Sequence, residues 1–118
     1  MKIANPIARI GEELAANFLK KRGYKIIERN FRIRGGEIDV IAQEGGALVY
    51  VEVKTRTSHA FGLPEESVSY HKLKFIERAS KFYRVSHANL PQLERIDVVS
   101  VDLSGKYPDI NLFKNAEF

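Results

Sequence analysis

Two runs of β-forming residues flank the pair Gly45-Gly46, and this arrangement predicts a β-hairpin across residues 36–56. Glycine readily adopts the positive backbone φ angles that tight hairpin turns require. Counting outward from these two turn residues places Asp39 opposite Glu52 on the neighbouring strand. The hairpin therefore predicts two carboxylates that face each other near its open end.

Two opposed carboxylates need a compensating charge. Directly opposed side chains have Cβ atoms about 4.5–5.5 Å apart, where like charges destabilise a strand pair. A divalent cation such as Mg²⁺ would stabilise Asp39 and Glu52, because its preferred ligands are carboxylate, phosphate and water oxygens. Lys54 lies two residues beyond Glu52 and therefore projects from the same face of the strand. Its ammonium group could position a water molecule or neutralise charge on a phosphate.

Two other interpretations fit the same spacing. Lys54 could pair with Glu37, which the same count places opposite it, and the carboxylates would then be solvated on an open sheet face. A one-residue bulge in the turn would also shift the register and separate Asp39 from Glu52. The hairpin by itself leaves these alternatives open.

The composition of the 118-residue chain predicts a single domain, residues 1–118, with its own core. The chain has no cysteine, which excludes disulfides and thiolate metal sites. It has no run of about 20 apolar residues and no signal-peptide pattern, so we expect a cytoplasmic protein that has no membrane partner. Its net charge of +4 is compatible with nucleic-acid binding but is not specific for it.

A helix is predicted to begin at Asn5-Pro6, since asparagine caps helix N-termini and proline is tolerated in the first turn. Gly23 is the expected stop. Glu12 falls at the margin of the apolar face, where it is either an ordinary boundary residue or a group that reaches inward to a site on the sheet. The residues expected to form that apolar face recur at helical spacing: Ile7, Ile10, Leu14 and Phe18.

The rest of the chain predicts a bent strand, a loop, a second helix and two further strands. We expect the bend near Asn30, and we place the loop at the mouth of the site on the hairpin. Elements in this sequence can pack as an α/β domain, with helices flanking a mixed β-sheet in the order α-β-β-β-α-β(-β). The predicted ranges are Tyr24–Arg34, Thr57–Val68, Tyr70–Val85, Arg95–Val101 and Asp109–Phe113.

The second predicted helix is strongly basic and could lie along a phosphate backbone. A solvated outer face explains the same charges equally well. Lys72, near the start of that helix, is the best candidate to approach the site. Arg32 and Arg34 on the first strand could contact phosphate or could form a solvated sheet edge.

Asp39, followed on the next strand by Glu52-Val53-Lys54, resembles the D…(D/E)-x-K signature of restriction-endonuclease-like nucleases. The predicted element order resembles the core of that superfamily. The closer resemblance is to the YraN-like family of small bacterial endonuclease-like proteins, which are similar to archaeal Holliday-junction resolvases. Four stretches carry it, in this order: Gly11–Ala15, Gly35–Ala42, Val51–Arg56, and Pro64–Val68 followed by Lys72.

The resemblance implies a restriction-endonuclease-like core and a metal-dependent nuclease activity. Mg²⁺, or Mn²⁺, would be held by Asp39, Glu52 and the backbone carbonyl of Val53. Glu12 would be a further metal ligand or would position water. Lys54 would orient or activate the attacking water, which completes the implied catalytic set of Glu12, Asp39, Glu52 and Lys54.

The substrate that the resemblance implies is DNA, in particular branched DNA such as a four-way junction, and the acting form would be a homodimer. The alternative function is a nucleic-acid-binding module that keeps the nuclease fold and has little cleavage activity. A third is a protein-interaction domain whose basic face is only solvated. The residues expected to bind nucleic acid are Arg32, Arg34, Arg56, Lys72, Lys74 and Arg78.

Overall fold

A computed structural model describes residues 5–58 and 68–116. The predicted α/β class and its element order are confirmed, including the short last strand. Residues 59–67 of the predicted loop, which include most of the fourth stretch of the family resemblance, lie outside the described residues. The elements are α1 (Pro6–Lys21), β1 (Lys25–Ile33), β2 (Gly36–Glu44), β3 (Ala47–Arg56), α2 (Tyr70–Ser86), β4 (Leu93–Asp102) and β5 (Asp109–Phe113).

The strands form one mixed sheet in the order β1-β2-β3-β4-β5. The β1–β2, β2–β3 and β4–β5 pairs are antiparallel, whereas β3 and β4 are parallel. A parallel pair needs a crossover connection, and α2 supplies it between β3 and β4. Within the described ranges, no helix has the length and apolar character that would be needed to cross a membrane.

The two helices cover opposite faces of this sheet, and alternate residues of the central strands are buried under each. On β3, Val49 and Val51 belong to the core under α1, while Leu48 and Tyr50 belong to the core under α2. Because side chains alternate along a strand, Glu52 continues the α2 side. The α1 core also includes Ala15, Leu19, Val40, Val99 and Val101, and the α2 core includes Ile41, Phe75, Ile76, Tyr83 and Val98.

The helix α1 begins where the sequence predicts, but it buries a different face. The Asn5 side chain accepts a hydrogen bond from the Ile7 N–H at 2.9 Å, and Gly23 takes a φ of +89° just after the helix. The predicted apolar stripe is only partly buried, since Leu14 packs against the core under α1 but Ile10 is 49% exposed. Small side chains let the helix backbone approach the sheet closely, which large side chains at the same positions would prevent. The buried residues are Gly11, Ala15, Ala16 and Leu19.

The predicted register of the central hairpin is confirmed over the paired part of β2 and β3. Their ladder runs from Glu44 opposite Ala47 to Val40 opposite Val51, without a bulge. Gly45 has a φ of +58°, which is the left-handed conformation that the turn requires. The alternative of a bulged turn is therefore excluded.

The strand β1 is irregular near its middle, as the sequence predicts. Its register with β2 shifts between Ile26 and Glu28. Asn30 has a φ of +53°, a left-handed conformation in which asparagine is one of the few tolerated side chains. It lies between residues that pair with Val40 and Ile38, and this places it beside Asp39 of β2.

Candidate active site

The strands β2 and β3 separate just beyond their last ladder pair, and Asp39 lies at the point of separation. The ladder ends at Val40 and Val51, so Asp39 and Glu52 are the next residues along each strand. The Asp39 Oδ2 atom accepts a hydrogen bond of 2.8 Å from the backbone N–H of Val53. We call the place where the two strands separate, at Asp39 of β2 and Glu52 and Val53 of β3, the fork. A side chain thus takes the place of the next backbone partner, and it fixes the Asp39 carboxylate between the strands.

Three carboxylates from two elements converge beside the fork. Glu12 of α1 and Glu37 and Asp39 of β2 each offer one oxygen, and these oxygens lie within 4.8 Å of one another. The Glu12 Oε1 atom accepts a hydrogen bond of 3.0 Å from the Asn30 side chain. The irregular β1 backbone therefore orients a carboxylate that belongs to α1.

Glu37 is a member of this cluster that the sequence did not predict. Counting from the turn assigned it to Lys54, but the ladder ends before these residues and no longer opposes them. Instead, Glu37 lies opposite Arg32 on β1 and accepts a hydrogen bond of 2.8 Å from its guanidinium. The ending of the ladder depends on tertiary structure, so no local sequence signal indicates it.

Glu52 and Lys54 lie on the α2 side of the sheet, as their spacing predicts. They line a cavity of about 180 Å³ together with Val68, Ser69 and Lys72. The Lys72 Nζ atom lies 3.3 Å from Glu52 Oε2 and donates a hydrogen bond of 2.6 Å to the Glu37 carbonyl oxygen. Lys72 of α2 thus contacts both strands of the fork.

The Glu52 carboxylate is only partly compensated by these neighbours. Its Oε2 atom is buried, and among residues 5–58 and 68–116 it has no partner at hydrogen-bond geometry. The Lys72 Nζ atom is close enough to Glu52 Oε2 for electrostatic attraction, but it is not oriented for a hydrogen bond. A buried carboxylate oxygen without a hydrogen bond is unfavourable unless another cation or donor satisfies it.

Asp39 shows the same excess of negative charge. The pKa of Asp39 is raised to about 8, first by burial, then by the neighbouring Glu52 carboxylate, with Glu12 contributing in the same direction. The Val53 N–H and the Lys72 ammonium oppose this change, but they do not cancel it. Glu52 is therefore close enough to Asp39 to act strongly on its ionisation.

These residues fit a divalent cation. Mg²⁺ and Mn²⁺ take oxygen ligands, and the sheet and α1 bring four carboxylates to the fork. Asp39 and Glu52 supply the most buried oxygens, while Glu12 and Glu37 lie beside Asp39. The ligand role implied for the Val53 carbonyl stays a prediction; the structure shows that the Val53 N–H is bonded to Asp39.

A second buried aspartate shows what a satisfied carboxylate looks like in this fold. Asp97 is fully buried on β4 and accepts hydrogen bonds from the Tyr24 hydroxyl, the Arg95 guanidinium and the Asn115 N–H. The bond from Asn115 ties the segment after β5 to β4. Asp97 is structural, which distinguishes it from the carboxylates at the fork.

The residues predicted to bind nucleic acid are distributed over several surfaces, and Lys72 contacts both strands of the fork. Arg32 is paired with Glu37, and Lys74 is paired with Glu77 at 3.6 Å. Two others donate hydrogen bonds to backbone carbonyls: Arg78 to that of Arg34 at 2.8 Å, and Arg56 to that of Thr55 at 3.1 Å. Arg34 lies at the turn between β1 and β2 and lines a cavity with Arg78.

Replacing Lys72 by methionine is expected to destabilise the metal-free protein by about 1–3 kcal/mol, because Glu52 then loses the ammonium with which it forms an ion pair. Both partners are largely enclosed, at 26% and 16% exposed. Lys74→Met is the matched control, since its pair with Glu77 is open to solvent and should contribute little. Thermal unfolding in EDTA measures both variants. Equal melting temperatures would show that the Lys72 ammonium does not stabilise the fork.

The fold and the site define a class of protein. It is an α/β domain whose mixed sheet, flanked by helices, is compatible with a restriction-endonuclease-like core, and its carboxylates gather where two strands separate.

The chain belongs to the Uncharacterised protein family UPF0102, whose model matches residues 11–101. This confirms the resemblance to the YraN-like family. The matched range includes the fork and Lys72. UPF0102 proteins of Caldicellulosiruptor bescii and Alkaliphilus oremlandii are each 46% identical to it, with coverage of 93% of this chain and of 95% and 96% of those proteins, respectively. A UPF0102 protein of Geobacter metallireducens is 44% identical over 90% of this chain and 87% of its own length.

Proposed function

We propose that this protein is a metal-dependent nuclease that hydrolyses phosphodiester bonds in DNA. The observation that carries the proposal is a buried Glu52 oxygen that receives no hydrogen bond from the described residues, beside an Asp39 carboxylate whose pKa is raised to about 8. Structural carboxylates such as Asp97 are satisfied by donors from the protein. A carboxylate pair left under-compensated at the open end of a hairpin supports a ligand-binding role.

In this proposal, Asp39 and Glu52 hold Mg²⁺ or Mn²⁺ together with the Val53 carbonyl. When bound, the ion polarises a phosphoryl oxygen and lowers the pKa of a bound water. Glu12, oriented by Asn30, holds a water or shares the ion from the α1 side. Lys54, on the same face as Glu52, orients the attacking water and neutralises charge that develops on the phosphate.

DNA is the proposed substrate because the chain carries a net charge of +4 and exposes basic side chains on β1 and α2. Contacts of such groups with phosphates position a nucleic acid without reading its bases. Recognition by shape is therefore expected, and branched DNA such as a four-way junction is the proposed class.

Incubation of the protein with a labelled four-way junction is expected to give cleavage that requires Mg²⁺ or Mn²⁺ and stops in EDTA. Asp39→Ala is expected to lower the cleavage rate at least about 10³-fold, because an ion that acts on charge at the reacting phosphate contributes several kcal/mol. Linear duplex and single-stranded DNA, tested in parallel, define the preferred structure.

Asp109→Ala, an exposed carboxylate at the start of β5, is the matched control and should cleave at the parental rate. If Asp39→Ala cuts as fast as the parent, the site is wrongly assigned. Salt-sensitive binding to DNA without cleavage would instead support the binding module. Binding that does not respond to salt, without cleavage, would contradict both.

A further inference from the structure

The solvent-facing side of α2 combines basic residues with an exposed aromatic ring. Phe82 is 58% exposed and Val85 is 89% exposed, although both are apolar. Residues three and four positions apart on a helix are neighbours, so these two share a face with three basic side chains. We call this face the α2 platform, and it consists of Lys74, Arg78, Lys81, Phe82 and Val85.

A concave surface beside Phe82 joins the α2 platform to the turn between β1 and β2. The cavity has a volume of about 620 Å³ and is lined by Ile33, Arg34, Gly35, Arg78 and Phe82. The Arg78 guanidinium holds the wall in place by donating to the Arg34 carbonyl oxygen at 2.8 Å. The lining of this cavity therefore combines an exposed phenyl ring with two arginines, Arg78 of the same helix and Arg34 of the turn.

The charge at the cavity is largely uncompensated. In the described parts of the chain, Arg34, Arg78 and Lys81 form no ion pair with a carboxylate, whereas Lys74 pairs with Glu77. Uncompensated cations around an apolar concavity favour a ligand that has both a flat apolar part and negative charge. The bases and phosphates of an unpaired nucleic-acid strand have this combination.

We propose that the α2 platform binds an unpaired nucleic-acid strand, with one base stacked on Phe82 and the adjoining phosphates held by Arg34, Arg78 and Lys81. Stacking on an aromatic side chain needs a base whose face is accessible, which a paired base inside a duplex does not offer. The proposal rests on the proposed nuclease function in one respect, namely that the bound strand leads to a cleavage site at the fork. The binding itself needs no metal.

The α2 platform lies close to the fork. Along α2, Phe82 is about 15 Å from Lys72 at about 1.5 Å per residue, and Lys72 contacts Glu52. Along β2, Gly36 packs against Phe75 of α2 and leads within three residues to Asp39. A strand seated on Phe82 would therefore reach the fork within a few nucleotides. This arrangement favours DNA in which a single-stranded segment adjoins the position of cleavage.

Phe82→Trp makes a direct reporter of this contact, since the chain contains no tryptophan. Titration of this variant in EDTA with a short deoxythymidine oligonucleotide is expected to quench tryptophan fluorescence as bases stack. Phe82→Ala is expected to weaken binding of the labelled oligonucleotide about tenfold, as measured by fluorescence anisotropy. Tyr107→Ala, which removes an aromatic ring that is 74% exposed between β4 and β5, is the control and should bind as the parent does.

An unchanged affinity in Phe82→Ala, or no quenching in Phe82→Trp, would overturn the proposal. Concentration-dependent dimerisation in sedimentation that disappears in Phe82→Ala, with no effect on oligonucleotide binding, would assign the face to self-association instead. The two functions fail separately. If the parent cleaves DNA with metal but Phe82→Ala binds the oligonucleotide as the parent does, only this inference is contradicted. If binding depends on Phe82 but the parent does not cleave, only the nuclease function is contradicted.

Discussion

The variant Asp39→Asn is expected to unfold at a higher temperature than the parent protein at pH 8 in EDTA. The parent must bury an ionisable carboxylate beside Glu52, whereas the variant buries a neutral amide of the same shape. The asparagine Oδ1 atom can still accept the hydrogen bond that the Val53 N–H donates to Asp39. A gain of about 2 kcal/mol or more is expected, which is roughly 6 °C or more in melting temperature for a domain near this size.

The stability that Asp39 contributes changes with pH in the direction opposite to that of most aspartates, whose pKa falls on folding. Burial and Glu52 raise the pKa of Asp39 from 3.8 to about 8. Between these values the folded protein retains a proton that the unfolded chain has released, so the stability falls as the pH rises. The contribution is fully present below about pH 4 and is lost as the pH passes through about 8. The advantage of Asp39→Asn should therefore shrink as the pH is lowered toward 4.

Calorimetric melts of the parent and Asp39→Asn across this range measure the difference, with Asp109→Asn as the control for the removal of one exposed negative charge. Addition of Mn²⁺ should raise the melting temperature of the parent and leave that of Asp39→Asn nearly unchanged. A variant less stable than the parent at pH 8, without metal, would show that the Asp39 carboxylate is adequately compensated in the folded protein.

Gly11→Ala is expected to destabilise the protein by at least about 2 kcal/mol and to lower the melting temperature by roughly 6 °C or more. A methyl group on Gly11 would lie 1.9 Å from the Thr55 Oγ1 atom and 2.9 Å from two Thr55 carbons. Relief of this overlap requires α1 to move away from β3. That movement would carry Glu12 away from Asn30 and the β2 carboxylates, so metal affinity and cleavage should also fall.

Gly46→Ala is the matched control, because nothing lies within 4 Å of the added methyl and the residue has no positive φ. In the double variant Gly11→Ala/Thr55→Ala, part of the lost stability should return, since the Thr55 Cβ atom alone remains in overlap. A melting temperature equal to that of the parent in Gly11→Ala would contradict the close approach of α1 to β3.

Features that depend on residues close together in the chain could be predicted from the sequence. The turn at Gly45-Gly46 sets the register of β2 and β3, and the Asn5 cap sets the start of α1, because each depends on residues close in the chain. The bend at Asn30 also follows from a residue type that tolerates a positive φ.

Features that depend on contacts between elements distant in the chain could not be predicted from the sequence. The periodicity of α1 favours its large apolar side chains, yet the close contact of Gly11 with Thr55 selects the face with small ones. The role of Glu37 stayed hidden for a related reason. It depends on where the β2–β3 ladder stops and on the presence of Glu12 from another element.

The fork has a mechanical consequence. Beyond Val40 and Val51, the described contacts between the two strands are made by side chains: Asp39 to the Val53 N–H, and Lys72 to both Glu37 and Glu52. The distance between the two strand ends at the fork therefore depends on these side-chain contacts and not on a backbone ladder between β2 and β3. On its outer side each strand end stays in a backbone ladder, β2 with β1 and β3 with β4, so the proposed nuclease would bring a sugar–phosphate chain to a position where the sheet has a gap in one ladder only.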